Sequence, residues 1–242
     1  MSSRWREWAP RQADAHIPKH ALPLSDEKTS GQDTMVNETN RYGAWQPWQP
    51  RAVVELFSTL SVPWWIAGGG AIDLFIGTQT RGHDDIDVQI LRRDQQAVRA
   101  ILHGWDVQGA VPPPRDENWP FREWEPGTLL DAEVHDVWCR PHKTAPWAIQ
   151  LMVADTSDDQ WLFRRDNRIS RALTAIGHQT DEGLPYLAPE IQLLYKAKNS
   201  RPKDEADFAR TLPHLDQESR EWLAQALAIV QPNHAWITRL KG

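Results

Sequence analysis

The feature that most constrains this chain is the run from Trp64 to Asp94. It opens with Trp64-Trp65-Ile66-Ala67, a short apolar stretch stopped by Gly68-Gly69-Gly70, which reads as a buried strand entering a tight turn. Ala71 to Ile76 then reads as a short helix closed by Gly77. A polar loop carrying Arg81, His83 and Asp84 leads into Asp85-Ile86-Asp87-Val88-Gln89-Ile90-Leu91, whose mostly alternating polarity predicts a strand with one polar face. Strand side chains alternate, so Asp85 and Asp87 are expected on the same face, about 7 Å apart.

That spacing points to a chemistry. Two carboxylates on one strand face are what Mg²⁺ uses when phosphate oxygens supply its remaining ligands. A Gly-Gly turn removes side chains where backbone must approach a phosphate, and the helix start behind it directs N–H groups and a positive dipole end at the anion. Neither half is specific alone; the order strand, Gly-Gly, short helix, loop, Asp-x-Asp strand is.

The surrounding chain sets the architecture. Residues 1–44 mix Pro, Ser, Asp, Lys and Gln without a sustained period and read as a disordered N-terminal extension, with docking of its tryptophans on the domain as the alternative. Pro50, Ala52, Val53, Leu56, Phe57 and Leu60 predict an amphipathic helix ending before Pro63. Asp94 is placed to cap a helix running to His103. Residues 110–128, with four prolines between Val111 and Pro120, read as loop. Glu133 to Cys139 and Trp147 to Ala154 predict a hairpin, and Trp161-Leu162-Phe163 a further strand. Helices are expected over Glu190 to Lys198, Lys203 to Thr211 and Asp216 to Val230, punctuated by prolines. The fold class is α+β: a small mixed β-sheet core flanked by helices over residues 45–180, then a C-terminal helical region over 181–242.

Composition excludes several classes. The 242 residues suffice for a core without disulfides, and 40% hydrophobic with 25% charged residues are globular values. A net charge of −6 supplies no phosphate-attracting field, which argues against nucleic acid as partner. The single Cys139 fits a reducing cytoplasm, and no apolar run reaches the length of a membrane span. Tryptophan is abundant, 14 against 5 Phe and 3 Tyr. Five of these (Trp119, Trp124, Trp138, Trp147, Trp161) share a stretch with Glu123, Glu125, Asp131 and Glu133, and either stack on a ligand or pack the core.

Trp65 to Asp73 and Thr80 to Val88 together resemble the DNA polymerase β-like nucleotidyltransferase superfamily, and within it the aminoglycoside 2″-adenylyltransferase-related proteins and their lincosamide-modifying relatives. Ala188-Pro189-Glu190, Leu193 to Lys198 and Arg201 to Phe208 are similar to the helical half of that family. The resemblance implies a nucleotidyltransferase core that transfers AMP from ATP to a hydroxyl of a small molecule, with an aminoglycoside-type antibiotic as one acceptor. It implies that Asp85 and Asp87 hold Mg²⁺, that Gly68 and Gly69 line the nucleotide phosphates, and that Lys196 reaches toward the triphosphate; a solvated helix lysine is the alternative for Lys196. Arg81 and His83 are placed to contact phosphate or orient the carboxylates, His83 equally to hold its loop. Two departures stand out. Gly70 occupies a position where the family commonly has Trp. Gln150 falls where relatives carry a third carboxylate, and Gln is neither a base nor a good Mg²⁺ ligand. Asp136 on the neighbouring strand is the candidate substitute, with Glu133 and Asp155 as further nearby acids. A catalytically impaired nucleotide-binding regulatory or antitoxin-like protein is the alternative function, and the oligomeric state is open.

Overall fold

In the computed structural model, residues 42–112 and 119–242 are described; most of the expected N-terminal extension lies outside them. The elements run α1 (Pro50–Leu56), β1 (Trp64–Ile66), α2 (Gly68–Ile76), β2 (Asp87–Leu91), α3 (Gln95–Ile101), β3 (Asp106–Ala110), β4 (Phe121–Glu123), β5 (Asp136–Arg140) and β6 (Ile149–Ala154). Three short strands follow, β7 (Thr156–Ser157), β8 (Gln160–Leu162) and β9 (Ser170–Ala172), then β10 (Gly177–Gln179) and β11 (Pro185–Leu187). The chain closes with α4 (Pro189–Lys196), α5 (Pro202–Thr211), α6 (Gln217–Val230) and α7 (Ala235–Lys241).

Eight strands form one mixed sheet in the order β10-β11-β1-β2-β6-β5-β3-β4, and β7-β8-β9 form a second, small sheet. In the large sheet only β1 with β11 and β2 with β6 pair in parallel. The fold is therefore α+β with a mostly antiparallel sheet. The expected hairpin is present, with Val137 opposite Leu151. Strands β10 and β11 flank residue 180, so the large sheet extends into the region expected to be purely helical.

The central strand β2 departs from the expected one-faced pattern. Val88, Gln89, Ile90 and Leu91 are all buried, because strands flank it on both edges and packed side chains cover both faces. Its polar end is Asp87, and Asp85 lies in the loop before it. Two further expectations are corrected. Asp94 stands at the N-cap position of α3 as expected, but its side chain makes no capping hydrogen bond: residues 92–94 form a 3₁₀ turn, and α3 begins at Gln95 and ends at Ile101, short of His103. Within the expected loop of 110–128, Phe121–Glu123 form β4 and pair with β3; no proline falls between Pro120 and Pro126, which leaves those N–H groups free for a ladder. Helix α7, too short to show a period, is present with Trp236 fully buried on Phe208 at 4.1 Å between ring centroids.

The tryptophans are mostly architecture. Trp124, Trp147 and Trp161 are at most 2% exposed. Trp147 anchors the start of the described chain: its Nε1–H donates to Tyr42 O, and Gln46 N–H and Trp48 N–H donate to Trp147 O and Ala148 O. Arg140 lies over its ring at 4.1 Å. The 42–48 arm thus docks along the sheet, with Trp45 against Trp138 at 5.0 Å.

Candidate functional site

Register collects the site's carboxylates on one sheet face. Asp87 on β2 is level with Gln150 on β6, which is level with Trp138 on β5. Asp136, two residues before Trp138, therefore shares that face. Above it lies a cavity of about 470 Å³. Its lining brings together the acids Asp85, Asp87 and Asp136 and the cations Arg81, Arg165, Lys196, Lys198, Arg201 and Lys203. Gly68 and Gly69 also line it. Of Gly68, Gly69, Arg81, His83, Asp85, Asp87, Asp136 and Lys196, His83 alone lies outside the lining.

The two glycines are required by side chains of the site itself. Gly68 has φ +63°, and a Cβ there would overlap Asp87 Oδ2. A Cβ at Gly69 would overlap the His83 ring and come within 2.7 Å of Arg81 Nη2. The Gly-Gly turn is thus the space into which the β2 aspartate and the loop before it pack. Gly70 does not line the cavity; a Cβ there would meet Ile66 Cγ2 at 3.0 Å. The expectation of a free helix start is also modified, because Gly68 N–H donates to Gln192 Oε1 at 2.7 Å.

Asp87 is the electrostatic centre. Burial, and then the charge of Asp85, push its carboxyl up to about 7; Lys196 and Lys203 pull it down and Asp136 raises it. No hydrogen bond relieves it among the described residues. Such an arrangement of carboxylates fits a divalent cation that brings its own oxygen ligands. It is no closed cage: among the described residues no group of three or more His, Cys, Asp or Glu side chains is arranged to hold a metal.

Three of these cations, Arg81, Lys196 and Arg201, are held by acids of helix α5. Asp207, 1% exposed, accepts from Arg81 Nε and Nη2, both at 3.1 Å, and pairs with Lys196 Nζ at 2.8 Å. Asp204, also 1% exposed, pairs with Lys196 at 3.3 Å and with Arg201 Nε at 2.8 Å. Hydrogen bonds from these cations, together with their charge, hold both carboxyls below the usual range although burial opposes it. Lys196 is thus no solvated lysine: its side chain is 8% exposed and fixed at the cavity wall. His83 holds its loop, with Nε2 at 2.5 Å from Asp73 Oδ2, while Thr80 N–H and Oγ1–H donate to Asp73 Oδ1.

At the third-carboxylate position, Gln150 Nε2 lies 3.4 Å from Asp136 Oδ1, and Arg164 Nη1 donates to Asp136 Oδ2 at 3.2 Å. Of the three nearby acids only Asp136 lines the cavity; Asp155 is paired with Arg92 and Glu133 is exposed. None of the five middle-region tryptophans lines it. Sequence reasoning missed Gln192, Asp204, Asp207 and Arg165. For Gln192, Asp204 and Asp207 the only signal was the C-terminal block itself, where Gln192 and Lys196 stand one helical turn apart; Arg165 had none.

Residues 51–115, which carry both glycines, Arg81, His83 and both aspartates, match one family model. That match relates the chain to the nucleotidyltransferases. The family concerned is described as aminoglycoside-2″-adenylyltransferase. No curated protein sequence matches. Among solved structures, the chain is similar to the lincosamide antibiotic adenylyltransferase LnuA with lincomycin bound, at 19% identity over 66% of this chain and 92% of that one, TM-score 0.45. It is similar to ANT(2″)-Ia in complex with adenylyl-2″-tobramycin, at 15% identity over 74% and 95%, TM-score 0.46. A nucleotidyltransferase-like antigen of Paracoccidioides brasiliensis shows 16% identity over 78% and 89%, TM-score 0.37. At these values the likenesses carry no argument about activity. No helix among the described residues is long and apolar enough to cross a membrane.

Proposed function

We propose that the protein is a Mg²⁺-dependent adenylyltransferase that moves AMP from ATP to a hydroxyl of a small molecule in the cytoplasm, with aminoglycoside-type antibiotics as the acceptor class to test first. The observation that carries this reading is the mixed lining of the cavity: Asp85, Asp87 and Asp136 together with cations, of which Arg81, Lys196 and Arg201 are ion-paired to buried acids of α5. Asp85 and Asp87 would hold Mg²⁺, which when bound neutralises charge developing on the phosphates. Lys196 and Arg81 grip the triphosphate, and the cavity walls orient it. The acceptor oxygen forms a bond to the α-phosphorus as the bond to the β-phosphate's bridging oxygen breaks. Pyrophosphate leaves with that electron pair. The hydroxyl proton passes to Asp136, the cavity carboxylate that remains once Asp85 and Asp87 are committed.

The test is pyrophosphate release with MgATP and a panel of aminoglycosides and lincosamides, beside Asp85→Asn and Asp87→Asn. Release that both substitutions abolish is expected; release that survives either removes the site assignment. A second reading is favoured by Gln150 beside Asp87 and by the ion pair that ties Asp136 to Arg164. In it, the protein binds MgATP as a regulator and modifies nothing. MgATP binding without release for any acceptor, together with no effect of Asp136→Asn, would select that reading.

A further inference from the structure

Helix α4 turns two polar side chains one turn apart toward the cavity, Lys196 and Gln192. Gln192 is 4% exposed, and its Oε1 accepts the backbone N–H of Gly68 at 2.7 Å. Because that partner is a donor, the amide oxygen must face it, and the sense of the amide is fixed. Nε2, with two N–H donors, is then the arm left for the cavity that Gln192 lines beside Asp87 and Lys196. It makes no hydrogen bond among the described residues and is not sealed from solvent, so an acceptor in the cavity can reach it.

This arrangement bears on how the start of α2 meets an anion. The first N–H of that helix is the group expected to point at a phosphate, and Gln192 consumes it. We propose that Gln192 is a substrate-binding residue whose Nε2–H donates to a phosphate oxygen of the bound nucleoside triphosphate, standing in for the Gly68 N–H it occupies. The inference rests on the nucleotide-binding reading above. The purely architectural alternative, that Gln192 only pins Gly68, needs an acceptor and no donor. Glu would serve that role equally well, and this separates the two.

Calorimetric titration of MgATP into the full-length protein, into Gln192→Glu, Gln192→Met and, as a charge-matched acid on the same cavity wall, Asn199→Asp tests it. Gln192→Glu keeps the acceptor for Gly68 and loses the donor. It is expected to weaken MgATP about 10- to 100-fold, the range for a hydrogen bond to a charged group, clearly more than Asn199→Asp does, while its melting temperature stays near that of the wild type. Gln192→Met, which loses both groups, is expected to weaken binding as well. Binding by Gln192→Glu no weaker than by Asn199→Asp overturns the inference and leaves the nucleotide reading standing. No MgATP binding by the wild type overturns both. Where Gln192→Glu does not fold, the wild-type side-chain amide resonance pair that is missing from the Gln192→Met spectrum decides: a shift that saturates with MgATP supports the contact, and an unmoved pair overturns it.

Discussion

Asp87 makes the free protein less stable than it need be, and the cost should depend on pH. Its carboxyl titrates at about 7 in the folded chain against an ordinary 3.8, because burial and the Asp85 charge disfavour ionisation. An acid whose folded pKa is raised binds more protons folded than unfolded, so stability falls as pH rises through the interval between the two values. Integrating between 3.8 and 7 gives a loss of about 1.5 kcal/mol by pH 5 and about 4 kcal/mol by pH 8, hence about 2.5 kcal/mol between those two conditions. Asp87→Asn keeps the shape and removes the charge. In EDTA, the variant's lead over the wild type should widen by about 2.5 kcal/mol from pH 5 to pH 8, or roughly 5–10 °C in melting temperature for a chain of this size. Taking the difference between the two proteins at each pH cancels the titrating groups that do not interact with Asp87. Mg²⁺ added at pH 8 should raise the wild type and leave Asp87→Asn where it was. A lead that stays constant with pH, or shrinks as pH rises, refutes the argument that Asp87 is held against its charge by burial and Asp85.

Three further substitutions probe the framework of the site. Gly68→Ala places a Cβ against Asp87 Oδ2 at φ +63°; a loss of about 1–3 kcal/mol in urea denaturation is expected, together with weakened MgATP binding. Asp207→Asn leaves Arg81 and Lys196 without their shared buried partner. It should cost about 3–5 kcal/mol and weaken nucleotide binding, with Asp207→Glu recovering part of both. Trp147→Ala removes a fully buried ring and the anchor of the 42–48 arm. It should cost about 3–5 kcal/mol and make the arm more susceptible to limited proteolysis than in the wild type.

What was legible in the sequence follows the range of the interactions involved. The strand, Gly-Gly turn, helix and Asp-x-Asp strand lie within 31 residues, and local periodicity is enough to order them. The β5–β6 hairpin and helices α4 to α6 were legible for the same reason. Strands of two or three residues, β4, β7 and β9 to β11, exist because a neighbour offers a ladder, and nothing in so short a run announces it. The site shows the same division. Asp85, Asp87 and the glycines are close in sequence, and a spacing argument finds them. Asp207 meets Arg81 across 126 positions, and Gln192 meets Gly68 across 124. Their roles depend on where α4 and α5 are laid down against α2, which is a consequence of packing. Lys196 shows why this matters. As a lysine near a helix end it is indistinguishable from a solvated one, and its place in the cavity wall is decided by two acids on the next helix. A reading of spacing alone therefore finds the groups that carry negative charge at this site and misses the ones that make its positive wall rigid.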